Sequence, residues 1–228
     1  MRIAVIPAKK NSIRLKNKNI KNFNGKPMLY WTIDACIKSK IFDYIFVSTN
    51  CKITQKISIK YGASCPFLRK KHNSNRSSTD DVVYESLKEI NKKLKLSFDE
   101  VFLLMPNCPL RNAKDIINFK NDFIKNNFSF LCTIVEFPNF LNPNYSLYGK
   151  KIANLKFLYK KFINSKHKPK NHFFSLTGAI RSAKVCDFLK YKNFINKKTN
   201  YYKIKLINGI DIDDINDFEF AKRIKLLT

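Results

Sequence analysis

The chain has 228 residues, with 44 Lys and Arg against 17 Asp and Glu and a formal net charge of +27. That is long for one average domain and short for two, and a chain of this size withdraws roughly 70–75% of its unfolded surface from water, enough for a substantial core. No apolar run approaches the ~20 residues that cross a bilayer, which excludes a membrane-spanning helix and points to a cytoplasmic protein.

The six cysteines are scattered, with no Cys-x-x-Cys pair and no His at zinc-site spacing, as suits a reducing compartment. Cys108, in a loop after an apolar run, remains a candidate nucleophile. The charge invites a nucleic-acid reading, but Lys is spread along the whole chain beside an excess of Asn, Ile, Phe and Tyr. Those residues share A/T-rich codons, so coding bias explains the composition and no specific nucleic-acid partner is expected. A general, salt-sensitive attraction to polyanions still follows from the charge.

Ile3 to Ile6 reads as a buried strand, broken at Pro7 too early to be a signal-peptide core. A loop rich in Lys, Arg and Asn follows. Pro27 suits a helix start, and the helix runs to about Ser39. Tyr44 to Thr49 reads as a second strand, Lys52 to Tyr61 as a helix, and Cys65 to Leu68 as a third short strand after the turn at Gly62. Arg69 to Ser78 is polar and reads as a loop over the site; Thr79 or Asp80 then caps a helix through Val82, Val83, Leu87 and Ile90.

Val101 to Pro106 is continuously apolar and reads as a central strand buried on both faces. A helix from Ala113 to about Asn127 and a strand from Phe130 to Glu136 follow. The alternation predicts an α/β fold with a mostly parallel sheet. It stops over 137–172, where only Tyr145 to Tyr148 and Lys151 to Leu158 suggest strands, so this stretch reads as an excursion from a core made of 1–136 and 173–228. A strand from Tyr202 to Ile207, the motif Ile210-Asp211-Ile212-Asp213 and a helix from about Asn216 to Leu226 close the chain.

Two stretches carry chemistry. The first loop holds Lys9, Lys10, Arg14, Lys16 and Lys18 with Asn11 and Ser12 as small polar donors, beyond the end of the first strand. In open α/β sheets that position meets ligands, and so many cations suit a polyphosphate; the alternative is a solvated basic loop. In the second, alternation puts Asp211 and Asp213 on one face if the backbone is extended. Two adjacent carboxylates raise each other's pKa unless a cation joins them, and Mg²⁺ takes one or two carboxylates with water and phosphate oxygens. The alternative is helix N-capping by Asp213 or Asp214. Neither a G-x-x-x-x-G-K-[ST] nor a G-x-G-x-x-G motif is present, and His72, His167 and His172 lie in polar stretches without a serine partner.

The run Ala8 to Asn19 followed by Phe23 to Met28 resembles the opening loop of the acylneuraminate cytidylyltransferase family. Pro106, Pro109, Leu110 and Arg111, the segment Thr177 to Ile180 and the acidic motif are similar to three further landmarks of that family. The resemblance implies a three-layer α/β/α, Rossmann-like sheet and the transfer of CMP from CTP to a nonulosonic, sialic-acid-like sugar acid. It implies Lys18 and Asp211 as catalytic residues, Mg²⁺ on Asp211 and Asp213, and nucleotide contacts from Ala8, Lys9, Asn11, Ser12, Lys18 and Asn19. Arg69, Met105, Arg111 and Gly178 would meet the sugar acid, with Arg76 as a further arginine in the loop. The excursion would be a small dimerisation arm of a homodimer. Lys9, Ile13, Met105, Asn107, Cys108 and Ser175 depart from the family's pattern. An eight-carbon keto-deoxy acceptor, or a non-catalytic binding subunit, are the alternatives.

Overall fold

The computed structural model describes residues 1–10, 12–74, 77–138, 143, 147–148, 156–157 and 172–227. Asn11, Arg76 and most of the excursion lie outside the described residues. The core opens with β1 (Arg2–Pro7), the small antiparallel pair β2 (Asn22–Phe23) and β3 (Lys26–Pro27), helix α1 (Met28–Ser39), β4 (Tyr44–Ser48) and helices α2 (Lys52–Lys60) and α3 (Thr79–Leu94). It continues through β5 (Glu100–Leu103), α4 (Ala113–Lys125) and β6 (Phe130–Glu136). In the excursion, β7 (Leu147–Tyr148) pairs antiparallel with β8 (Lys156–Phe157). The chain returns in β9 (Phe174–Lys184) and ends with α5 (Val185–Tyr191), β10 (Thr199–Lys203) and α6 (Ile215–Leu226).

Six strands form one sheet in the order β10-β6-β9-β5-β1-β4. β1 runs parallel to β4 and β5, and β10 parallel to β6, while β9 is antiparallel to both of its neighbours. The β strands at the centre carry apolar residues on both faces because helices cover both. Ala4, Ile6, Phe102 and Leu131 pack on one side with Leu29, Ile33, Ile116 and Phe119, and Ile3, Val5, Val101 and Leu103 on the other with Val83, Leu87 and Ile90. This is the expected three-layer α/β sandwich, with one reversed strand. Among the described residues no helix is long and apolar enough to cross a membrane.

Four local expectations need correction. Cys65 to Leu68 is not a strand: pairing is limited to one bridge between Phe46 and Ser64, because Pro66 lacks an N–H and cannot continue a ladder. The cap of α3 is Ser78, whose hydroxyl accepts from the Asp81 N–H at 3.0 Å while Asp81 answers to the Ser78 N–H. This reciprocal pair satisfies two helix-end donors and leaves Thr79 inside the first turn. The last strand begins earlier, at Thr199, and ends at Lys203, before a short 3₁₀ turn over Ile207–Gly209. The central strand ends at Leu103; beyond it the backbone splits its bonds, Leu104 donating to Val5 at 3.1 Å and Met105 to Gly178 at 3.1 Å.

That split opens the sheet at the carboxyl ends of β1 and β5. The loops after both strands diverge there, and a cleft forms between them.

Candidate functional site

The cleft encloses about 490 Å³ and is walled by the first loop, the loop before α3, and the segment Met105–Asn107. Lys9, Lys18 and Arg69 supply its cations; Ser12, Ser74, Ser77 and Ser78 supply hydroxyls; Leu15, Val82, Met105 and Pro106 form an apolar wall; and Asp213 stands at its rim.

The cations are held in place and influence one another. Burial together with the charges of Arg69 and Lys18 lowers the Lys9 pKa, and burial brings Arg69 down to about 10. Arg69 is anchored by a 3.0 Å bond from Nε to Asn73 Oδ1 and by its backbone N–H on Thr49 O at 2.7 Å. Lys18 Nζ donates to Ile212 O at 2.9 Å and to Asp213 Oδ1 at 3.1 Å. A lysine whose pKa is lowered by burial and by neighbouring cations marks a place that an arriving anion relaxes.

Asn19 and Ala8 shape the loop from behind. Asn19 is buried and its Nδ2 donates to Lys9 O at 2.9 Å, bracing the turn that presents Lys9. Ala8, expected on the nucleotide, is fully buried, and its N–H already donates to Ser48 O at 2.9 Å. It therefore has no donor left for a phosphate.

The acidic motif comes to the same place from the other end of the chain. Ile210 to Asp213 is not a strand, yet the alternation survives: Ile212 is fully buried while Asp211 and Asp213 keep contact with solvent. Asp214, not Asp213, caps α6, its Oδ1 accepting from the N–H groups of Asn216 at 2.8 Å and Asp217 at 3.0 Å. Capping thus leaves the Asp211 and Asp213 side chains for other work. Asp213 pairs with Lys18 and, at 2.8 Å, with Arg14 Nη2. Protein crowds Asp211 from most sides even though its edge is wet, and that desolvation, with the Asp213 charge added, pushes its carboxyl up to about 6 against the pull of Lys18 and Arg181.

Two hard carboxylates, one raised by burial and by the charge of the other, form a donor set suited to Mg²⁺. Among the described residues no group of three or more His, Cys, Asp or Glu side chains converges. A cation here would fill its remaining positions with water and phosphate oxygens.

Two expected substrate contacts are placed differently. Arg111 is only 2% exposed and does not line the cleft; its Nη1 donates to Ala179 O at 2.8 Å and to Met105 O at 3.4 Å. It props the Met105 backbone from beneath instead of reaching a ligand. Gly178 also acts from below, since a Cβ there would lie 2.9 Å from Met105 Cγ and 3.5 Å from Asp211 Oδ2. Only glycine lets the Met105 side chain approach that strand so closely, whereas Asp211 would remain in ordinary contact. The Cys108 option closes as well: the thiol is fully buried, and burial raises its pKa far from any reactive range.

Sequence reasoning missed Asn107, which lines the cleft at 3% exposure and donates from Nδ2 to Asp211 Oδ1 and, at 3.1 Å, to Ile212 O. The polar stretch Arg69 to Ser78 does lie over the site as expected, and its His72, Ser74, Ser77 and Ser78 line the cleft, although none of these four was singled out as a contact.

The family model described as Cytidylyltransferase matches residues 3–137. Pseudaminic acid cytidylyltransferase of Campylobacter jejuni is 30% identical over 232 residues, covering 96% of this chain and 94% of that protein. CMP-N,N'-diacetyllegionaminic acid synthase of Legionella pneumophila is 36% identical over 116 residues, 50% of this chain and 49% of that protein. Among solved structures, CMP:2-keto-3-deoxy-manno-octonic acid synthetase complexed with CTP shares the fold, with a TM-score of 0.74 at 14% identity over 99% of this chain and 98% of that one. The strand-end cleft, its cationic loop and these matches together mean that the chain belongs to the acylneuraminate-type cytidylyltransferase family, a family of nucleotidyltransferase enzymes.

Proposed function

We propose that this chain transfers CMP from CTP to the anomeric hydroxyl of a nonulosonic acid and releases pyrophosphate, working in the cytoplasm as a homodimer with Mg²⁺. The observation that carries the reading is the convergence of Lys9, Lys18 and Arg69 on one cleft with Asp213 at its edge and Asp211 bonded to the cleft-lining Asn107. The relatives named for pseudaminic and diacetyllegionaminic acids support the acceptor class.

In this reading Lys9 and Arg69 bind the triphosphate, and Ser12 adds a hydroxyl donor. Lys18 links the phosphates to the acidic segment, neutralising charge that develops as the anomeric oxygen gives up its proton and bonds to the α-phosphorus while the bond from that phosphorus to the β-phosphate oxygen breaks, so that pyrophosphate and one proton leave. Mg²⁺, held by Asp211 and Asp213 when bound, supplies further charge neutralisation. Leu15, Val82, Met105 and Pro106 form the apolar side of the cleft and reduce the screening of these charges there. No covalent protein intermediate is needed, since positioning and electrostatics suffice for phosphoryl-type transfer.

The test is pyrophosphate release from CTP and Mg²⁺ with pseudaminic, legionaminic, N-acetylneuraminic and eight-carbon keto-deoxy acids, with Asp211→Ala beside the parent. Release with a nine-carbon acid, lost in the variant, is the expected result. Release only with the eight-carbon acid would replace the acceptor class. No release with any acid, and no thermal protection by CTP with Mg²⁺, would overturn the reading in favour of a non-catalytic subunit.

A further inference from the structure

We infer that Asn107 is a positioning residue for the acidic pair: its side-chain amide holds one oxygen of Asp211 and so fixes how the other is presented. The inference deepens the cytidylyltransfer reading of the cleft and rests on it.

Asn107 joins two segments 104 positions apart. Its Nδ2 donates to Asp211 Oδ1 and to Ile212 O, and the Ile212 N–H returns a bond of 2.9 Å to Asn107 O. The amide can face only one way. Turned over, its oxygen would meet a carboxylate and a carbonyl together, three acceptors with no donor between them. The observed orientation leaves Asn107 Oδ1 buried without a partner, a cost the structure accepts to keep the donor on Asp211.

The support behind Asn107 is stiff. Pro106 and Pro109 restrict the loop on either side, Cys108 is packed in the core, and Met105 is bonded to Gly178 and to the Thr32 hydroxyl. On its other flank Asp211 meets Gly178, which has no side chain to donate. Arg181 acts on Asp211 only through its field. Asn107 is thus the neutral donor that orients Asp211, whereas Asp213 is oriented by the charged pair Arg14 and Lys18. A neutral donor orients Asp211 without adding a compensating charge of its own, as outer groups around metal-binding carboxylates do.

The experiment compares the parent with Asn107→Leu, which keeps the bulk but removes the donor, and Asn107→Ser, which keeps a shorter O–H donor. Mn²⁺ binding in the presence of CTP is titrated directly, and kcat, KM for CTP and thermal melting are measured alongside. In Asn107→Leu we expect Mn²⁺ affinity and kcat to fall by about 10-fold or more, with KM for CTP within about threefold, and Asn107→Ser to recover part of both. Mn²⁺ affinity within twofold of the parent in Asn107→Leu, or equal losses in both variants, would overturn the inference. If Asn107→Leu fails to fold, the parent-to-Ser difference in Mn²⁺ affinity decides. A parent that binds Mn²⁺ and CTP but transfers to no sugar acid would remove the reaction while leaving the positioning role to be read from binding.

Discussion

Lys18 Nζ sits 2.9 Å from the carbonyl oxygen of Ile212 and 3.1 Å from Oδ1 of Asp213, a residue 195 positions away. The bond is mostly buried on the lysine side, so water cannot replace it cheaply. Lys18→Met is expected to lower kcat/KM about 10²-fold, the usual loss when one pre-aimed charged donor is removed from a reaction site. It should also lower the melting temperature. Steady-state kinetics and a melt on the same preparation check both; full activity would exclude Lys18 from the chemistry.

Arg14 offers the contrasting case. Its pair with Asp213 is 2.8 Å long but 68% exposed on the arginine side, so it contributes less than about 1 kcal/mol to stability. Arg14→Ala should leave the melting temperature nearly unchanged. Removing this competitor should, however, tighten Mn²⁺ binding by the nucleotide-free protein, which a titration by calorimetry would show.

The pH dependence of stability carries a sign. The Asp211 carboxyl is raised from 3.8 to about 6, so between these values the folded protein holds a proton that the unfolded chain has lost. Its contribution to stability is complete below about pH 4 and is lost as pH rises through about 6. Asp211→Asn removes that loss. The variant should melt higher than the parent at pH 7.5, with a flatter profile between pH 4 and 7, while losing transfer activity. A variant that melts lower at pH 7.5 would contradict the electrostatic account of this carboxylate.

Gly178 and Met105 should be coupled. A methyl at Gly178 would meet Met105 Cγ at 2.9 Å, so Gly178→Ala is expected to cost about 1–3 kcal/mol as an overpacked site. Met105→Ala makes room for that methyl. The double variant should therefore be more stable than the sum of the single effects, and strict additivity in denaturant titrations would argue against direct contact.

Much of this architecture was legible because periodicity reports burial. The strands at Ile3, Tyr44, Val101 and Phe130 and the helices between them stand where their apolar patterns put them. Neither β9 nor α5 was legible: Thr177 to Ile180 stands out only by its resemblance, and nothing in 173–191 is read as a strand or a helix from the sequence. Lys9, Ser12, Lys18, Asn19, Arg69 and Met105 do line one cleft, because a loop between a fixed strand and a fixed helix has few places to go. Arg111 misled because a motif conveys a residue type and not its depth: here the side chain turns inward to two carbonyls. Asn107 was passed over as a departure from a pattern, and only the fold reveals that Asp211 lies beside it.

The order in which the chain is made bears on the cleft. Residues 3–137, the stretch matched by the family model, include Lys9, Lys18, Arg69 and Asn107 but neither Asp211 nor Asp213. On the ribosome, the first loop and strands β1, β4 and β5 therefore emerge long before their acidic partners. Until the acidic segment is made, Arg14 and Lys18 lack the Asp213 carboxylate that they hold in the folded chain. The last segment to be made is therefore the one that closes the charge balance of the first loop.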